Sequence, residues 1–450
     1  MAAGHGSTFD GSTKTNGYHP LFFLVLVGIA RLSSGLPDVF RWLYGIDVVS
    51  GVVSFILARN FLSRRGVNAW VANAWGVLFF RFDIRLISQQ MEVTLTVPLG
   101  LLLLTLCDEC PERYTPRKLT LIGFIMALMI LSRLDSGILA GLLCLAAATQ
   151  KEYRRVFRGV QLAAFAAASG IPLLAYLALN EHFFHRLLPI SGVAKQLKGS
   201  LWPSSLALRS WHGLNGLILA FAVFCLIAYL ILIRRRTTLS PVDRVLLPVL
   251  LAFPALHLLV LSVLSDWKLW GWYNYSLRFG ILGIVLFLVF VVPETRKKQS
   301  YLLGPLTLLL SFLVLALSFY HIDPEMVGIA NAAERLAKFE DTHPGRYAMG
   351  DRAGMFGYLS PGVVIQMEGL MRNSACLDHI RHEQPLRALL RDYRADYYVT
   401  FVRSRPGACL EASEPAQAGP MAPHSRGEFC EQPTAVFHDG MGYTIVYAVK

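Results

Sequence analysis

A helix that crosses a membrane needs about 20 predominantly apolar residues, with roughly 17–25 usual. This chain offers such stretches one after another. Ten are read, with soft ends, at 42–62, 67–80, 92–107, 119–132, 136–149, 157–180, 214–233, 245–265, 278–293 and 301–320. Several of the apolar cores are short, so they must recruit flanking residues or sit inside the bundle. The stretch 20–33 (PLFFLVLVGIARLS) is shorter still and reads as re-entrant or interfacial. Composition agrees with this reading. Of 450 residues, 54% are hydrophobic and 16% charged, with mean hydropathy +0.47. A typical soluble domain carries about 25% charged residues. A soluble enzyme, a disordered protein and a nucleic-acid binder are all disfavoured.

The net charge of +12 resembles a nucleic-acid signal until it is located. Residues 321–450 hold 13 Lys and Arg against 16 Asp and Glu, whereas residues 1–320 hold 29 against 14. The chain therefore divides into a membrane body (1–320) and a water-soluble domain (321–450) of ordinary polarity. The basic residues of the body cluster in alternate loops: Arg59, Arg64 and Arg65; Arg113, Arg117 and Lys118; Lys151, Arg154, Arg155 and Arg158; Arg234, Arg235, Arg236 and Arg244; Arg296, Lys297 and Lys298. The positive-inside rule makes these loops cytoplasmic. Ten spans then put residues 1–19 and 321–450 outside. No internal repeat, low-complexity tract or cleavable signal peptide is read.

The unusual residues gather on the exoplasmic side. Arg133 and Asp135 stand in LSRLDSG, between two apolar runs with almost no loop. Ionisable residues at membrane depth are expensive and call for an explanation. Either the two pair in a tight hairpin or snorkel to the surface, or Arg133 faces a cavity and neutralises an anion such as a lipid phosphate. Glu92 opens an apolar segment, where the helix dipole alone would favour it. Most of RFDIRLISQQ beside it is explained by a solvated loop. Lys195, in HRLLPISGVAKQLKGS, reads as a headgroup-contacting lysine or as a phosphate contact. Trp270, Trp272, Tyr273 and Tyr275 make either an interfacial belt or a wall on which a sugar or prenyl chain stacks. The lone CDEC pair (Cys107, Cys110) is a weak metal signal. Cys376, Cys409 and Cys430 lie in the C-terminal domain; Cys409 and Cys430 are a candidate disulfide on the oxidising side, and that odd count leaves one thiol of the domain free. Gly-rich phosphate loops, HExxH and G-x-S-x-G are not found.

In the C-terminal domain, MVGIANAAERLAKFEDTHPG reads as an amphipathic helix, RYAMGD and GVVIQME as strands, and PLRALLRDYRADYYVTFV as helix then strand. TAVFHDG and MGYTIVYAVK read as a closing hairpin, and 404–433 as a long loop. This alternation predicts a small α/β domain with a mixed sheet.

Several strings together resemble the multispanning GT-C glycosyltransferases, most closely the actinobacterial-type arabinofuranosyl- and mannosyltransferase-like proteins: STFDGSTKTNGYHPLFFL, QMEVTL, LSRLDSG, LLPISGVAK and WGWY. RYAMGDRAGMFGYLSPGVVIQMEGLMRN is similar to their exoplasmic domain. Asp351, Gly354 and Tyr358 match one turn and Gly369, Leu370 and Asn373 a second, with Met367 or Glu368 near an expected Asp. The resemblance implies a polytopic α-helical GT-C-like fold of about ten spans and a short re-entrant segment, with the exoplasmic α/β domain, in the cytoplasmic (inner) membrane of a bacterium. It implies transfer of a sugar from a polyprenyl-phosphate donor to a glycan, lipid or protein acceptor of the cell envelope. Asn16, Gly17 and His19 would belong to the first substrate-facing loop, Glu92 would orient the sugar, Arg133 and Asp135 would sit at the site rim, Lys195 would contact phosphate, and Trp272 and Tyr273 would line the donor groove. No cofactor is implied with certainty, and a divalent metal is left open. One departure stands out. The helix and acidic base that precede FDG in the family are not in this chain, so that acid is expected upstream of Met1, with Asp10 and Glu92 as weak stand-ins. The rival expectations are a truncated or non-catalytic paralogue and a lipid-sugar transporter or flippase.

Overall fold

The computed structural model of the chain describes residues 6–85, 91–233, 239–291, a few positions between 305 and 316, and 324–449 apart from 406 and 439–441. The first part is a bundle: α1 (Pro20–Leu32), α2 (Leu36–Arg64), α3 (Ala69–Arg85), α4 (Val93–Cys107), α5 (Pro116–Ser132), α6 (Gly137–Thr149), α7 (Lys151–Val156), α8 (Gly159–Phe184), α9 (Ile190–Lys195), α10 (Ser205–Arg209), α11 (Leu214–Ala228), α12 (Pro241–Leu264) and α13 (Tyr275–Val291).

Among the described residues, five helices are long and apolar enough to cross a membrane: Asp38–Arg64, Gly159–Phe184, Leu214–Ile231, Pro241–Leu264 and Gly271–Val291. The expected ten are thus not all of full length. The 13 residues of α6 extend about 20 Å at ~1.5 Å per residue, against a hydrocarbon core of about 30 Å. The helix is cut short because the charged Arg133-Asp135 link precedes it and Gln150 follows. The 13-residue α1 is likewise short of a span. Most of the expected segment 301–320 lies outside the described residues.

Local chemistry sets the helix starts. Thr115 caps α5 by accepting from the Lys118 amide, with Pro116 in the first turn. Ser240 caps α12 by accepting from the Asp243 amide, again with a proline, Pro241, next. Helices α4, α5, α12 and α13 form the buried centre, with Val97, Leu101, Met129, Leu250, Phe253 and Phe279 closed off from solvent. Gly283 lets α13 lie directly on α12, since a Cβ there would come within 2.9 Å of Leu250 Cβ. Helix α8 stands at the rim, exposing Leu162, Ile171, Leu174 and Leu179, as a lipid-facing helix should.

The C-terminal part is the mixed sheet read from the sequence. Its strands are β1 (Arg346–Met349), β2 (Val363–Gln366), β3 (Tyr397–Val402), β6 (Ala435–His438) and β7 (Tyr443–Ala448), in the order β2-β1-β3-β7-β6. β1 is parallel to β2 and β3, while β7 is antiparallel to β3 and β6. The amphipathic helix is Pro324–Glu340, and Leu386–Asp392 is the helix before β3. One expectation is corrected. The supposed loop 404–433 contains an antiparallel pair, β4 (Leu410–Glu414) and β5 (Ser425–Phe429), flanked by the Cys409–Cys430 disulfide. Its Ala, Glu and Gly content is poor for strands. The crosslink and the burial of Leu410, Ala412 and Phe429 in the domain core hold it.

The two parts are joined at several points. Phe9 packs into the apolar cluster of Tyr347, Phe356 and Val364. Ile190 and Ala194 pack against Cys376, Leu377 and Ile380. Trp267 makes a β-bridge with Ala418, and Lys268 N–H donates to the Gln417 carbonyl at 3.2 Å. Asp266 anchors that joint: its carboxylate takes hydrogen bonds from the Ser204 hydroxyl and, at 2.7 Å, from the Met421 amide. Residues 6–19 thus belong spatially with the C-terminal domain.

Candidate functional site

The site lies where α5 gives way to α6, on the bundle end that carries the C-terminal domain. Helix α5 stops because Arg133 turns extended, and residues Leu134–Ser136 make one 3₁₀ turn before α6 starts. The break is held by hydroxyls. Ser132 and Ser136 both donate to the Met129 carbonyl, at 2.7 and 2.9 Å, and Thr96 of α4 bonds Ser132 at 3.0 Å.

Arg133 is 1% exposed, so it does not snorkel. Its guanidinium donates through Nε to Asp135 at 2.8 Å and through Nη1 to Glu92. Tyr273 and Tyr275 cover it, with ring centroids 4.3 and 5.3 Å from Cζ. Asp135 in turn accepts from the Tyr275 hydroxyl at 3.0 Å and lies 3.2 Å from His257 Nε2, whose Nδ1 is 2.9 Å from Ser276 Oγ. A buried ion pair is tolerated only when its remaining valences are filled, and this one is filled from α4, α12 and α13. The paired-hairpin reading of Arg133 and Asp135 therefore describes their geometry, with Glu92 as a third member.

Glu92 starts α4, but its carboxylate turns to Arg133 and to His19, whose Nε2 is 3.5 Å away. His19 Nδ1 is shielded from solvent and has no hydrogen-bond partner. Lys195, at the end of α9, donates to the Tyr273 hydroxyl at 2.8 Å and lies 5.5 Å from that ring. Trp270 and Trp272 stack at 5.5 Å and continue the aromatic wall, with Trp272 6.3 Å from Tyr273. His19, Glu92, Arg133, Asp135, Lys195, Trp272 and Tyr273 are thus brought together.

Asn16, Gly17 and Asp10 fasten the N-terminal segment. Asn16 accepts from the Ile190 amide at 2.9 Å. Gly17 lies so close to the Leu370 carbonyl that any Cβ would collide with it. Asp10 accepts from the amides of Ser12 and Thr13, at 2.9 and 2.6 Å, and pairs with Arg372. Burial alone would raise its carboxyl. The Thr13 and Ser12 amides, the Thr13 hydroxyl and the Arg372 guanidinium outweigh that and hold it below the usual range. A carboxylate so fully bonded is a fastener and a poor proton acceptor.

Sequence reasoning passed over His257, Arg372 and Asp266 and left Glu368 without a role. His257 was findable as the one histidine inside a long apolar run. Glu368 was not, because its burial arises from the docking of the domain. It is hydrogen-bonded to Gln366 at 3.1 Å, and its Oε1 has no partner. Burial pushes its carboxyl well above the ordinary range, Asp351 and Glu414 add to the rise, and Lys195 and Gln366 oppose it. Burial likewise raises Glu414 to about 7, against the bonds it takes from Tyr398 and the Ala416 amide. The grouping Cys409, Glu428 and Cys430 is compact enough for an ion, but its two sulfurs are joined to each other.

No protein-family model, curated protein or solved structure matches the chain.

Proposed function

We propose that the chain is a membrane glycosyltransferase that moves a sugar from a polyprenyl-phosphate donor to a cell-envelope glycan, lipid or protein acceptor on the exoplasmic face. The carrying observation is the pair of cations that meet at Tyr273: Arg133, braced by two carboxylates, and Lys195, which among the described residues donates to the Tyr273 hydroxyl and has no carboxylate in direct contact. Arg133 is already neutralised, so it supports the wall. Lys195 is the charge free to meet a phosphate. In the reaction, an acceptor hydroxyl gives up its proton, its oxygen bonds the anomeric carbon, and the bond from that carbon to the phosphate oxygen breaks. Negative charge then grows on the departing polyprenyl phosphate, where a fixed cation stabilises it most. His19, whose Nε2 lies 3.5 Å from Glu92, is the candidate among the described residues to take the proton. Trp270 and Trp272 supply a surface for sugar or prenyl stacking.

Full-length protein in proteoliposomes, given labelled polyprenyl-phosphate sugars, should transfer label to an acceptor extract. Lys195→Ala should lower transfer about 100-fold or more, the scale seen when one charge-stabilising donor is removed. His19→Asn should flatten the pH profile. Absence of transfer across a panel of donors rejects the reading. It would favour a non-catalytic scaffold, which the closed Arg133–Asp135–His257–Ser276 network also suits.

A further inference from the structure

The bundle end opposite the C-terminal domain contains a cavity of about 550 Å³ between α5, α6, α8 and α12. That is within the range of small-molecule sites, roughly 300–1,000 Å³. Its wall is almost all carbon, with Ile122, Leu143, Ala147, Phe165 and Leu246 lining it. The Tyr114 hydroxyl in the wall is already satisfied by the Cys107 carbonyl at 3.0 Å. The other polar groups of the lining inside are the Tyr153 hydroxyl and the weakly polar Cys107 and Cys144 thiols. The mouth is different. Arg154 and Arg158 both line it. Arg158 Nε donates to the Arg154 backbone carbonyl at 3.1 Å, which folds the Arg158 side chain back over the segment that carries Arg154. Both residues are exposed, and Lys151 and Arg155 lie on the same short segment.

We propose that this cavity holds one anionic phospholipid of the membrane, with its phosphate on Arg154 and Arg158 and one acyl chain inside. Basic pockets between spanning helices bind acidic headgroups in this way. A carbon-lined space at helix-end depth suits a tail that enters from the lipid beside α8. The apolar wall along α5 runs from Ile122 to Met126, only about 6 Å at ~1.5 Å per residue, which suits the upper part of an acyl chain better than a long prenyl chain. The site lies on the bundle end away from Arg133 and Lys195 and does not depend on glycosyl transfer.

Native mass spectrometry of the full chain, released from detergent with added dioleoylphosphatidylglycerol or dioleoylphosphatidylcholine, tests this. The wild-type chain should retain one phosphatidylglycerol in preference to phosphatidylcholine. Arg154→Gln with Arg158→Gln should weaken that retention roughly 30-fold, about fivefold per lost cation. Ala147→Phe fills the cavity, keeps both guanidiniums and should also abolish retention. Arg117→Gln, an exposed cation away from the cavity, should leave it unchanged. Equal retention of both lipids, indifference to the Arg pair or to Ala147→Phe, or displacement by an equal concentration of polyprenyl phosphate would each overturn the proposal.

Discussion

A carboxyl group shut away from water responds to pH in a direction set by its surroundings. Glu414 is 2% exposed and its carboxyl is raised from 4.5 to about 7. Between those values the folded chain binds a proton that the unfolded chain has released. Stability therefore falls as pH rises from about 4.5 to about 7 and levels off above, by at most about 3 kcal/mol. Melting of the full chain in detergent should show this slope. Glu414→Gln should flatten it in part, leaving the share due to Glu368, and an unchanged slope would show that the carboxyl is not held protonated. Arg133 has the opposite kind of burial. Arg133→Ala would leave Glu92 and Asp135 buried without their cation, a loss of about 3–5 kcal/mol, so its variant should melt early whatever its activity, whereas Lys195→Ala should not. At this scale the sequence was informative where partners are neighbours. Arg133 and Asp135 stand two residues apart and were legible together. His257 meets Asp135 from 122 positions away, a contact that only the packing of α12 on α6 creates.

The helices of the bundle are tied at the end away from the site by a second buried arginine. Arg65, just past α2, gives one guanidinium nitrogen to Asp108 at the end of α4, at 2.5 Å, and another to Asp243 in the first turn of α12. The sequence displays Arg65 as one more basic loop residue, and its positive-inside role is all that composition can reveal. Packing adds a structural one: a forked donor spans two carboxylates from different helices. Arg65→Ala should destabilise the detergent-solubilised chain by about 3–5 kcal/mol, read by thermal melting. Arg65→Lys should recover only part, since an ammonium lacks the fork. A surface-like loss below about 1 kcal/mol would show that the clamp does not form. Long apolar elements such as α8 and α12 were legible from hydropathy, as was the alternation of the sheet domain. The β4–β5 pair was not, because its strands are specified by a disulfide and by neighbours rather than by their own residues. The helices Ala353–Leu359 and Ser374–Arg381 are too short to carry a readable period.

Across the whole molecule, the two ends of the bundle differ in kind. One end carries the C-terminal domain, the 6–19 segment, the aromatic wall and the disulfide. The other carries Arg59, Arg64, Arg65, Arg113, Arg117, Lys118, Lys151, Arg154, Arg155 and Arg158. Disulfides persist in oxidising compartments, and basic loops stay on the cytoplasmic side, so both rules predict the same orientation, with the C-terminal domain outside. A native reporter exists for the basic end: Cys110 is free and exposed. Asp341 is an exposed position on the domain end. In intact cells expressing the Asp341→Cys chain, a membrane-impermeant maleimide should label that cysteine at once and Cys110 only after permeabilisation. Cys144 is exposed as well, so a Cys110→Ser, Cys144→Ser background isolates the first signal and a Cys144→Ser chain the second. The reverse order of labelling would invert the orientation and remove the site from the exoplasmic face. Labelling of both in intact cells would mean that the shorter helices do not complete a barrier between the two ends.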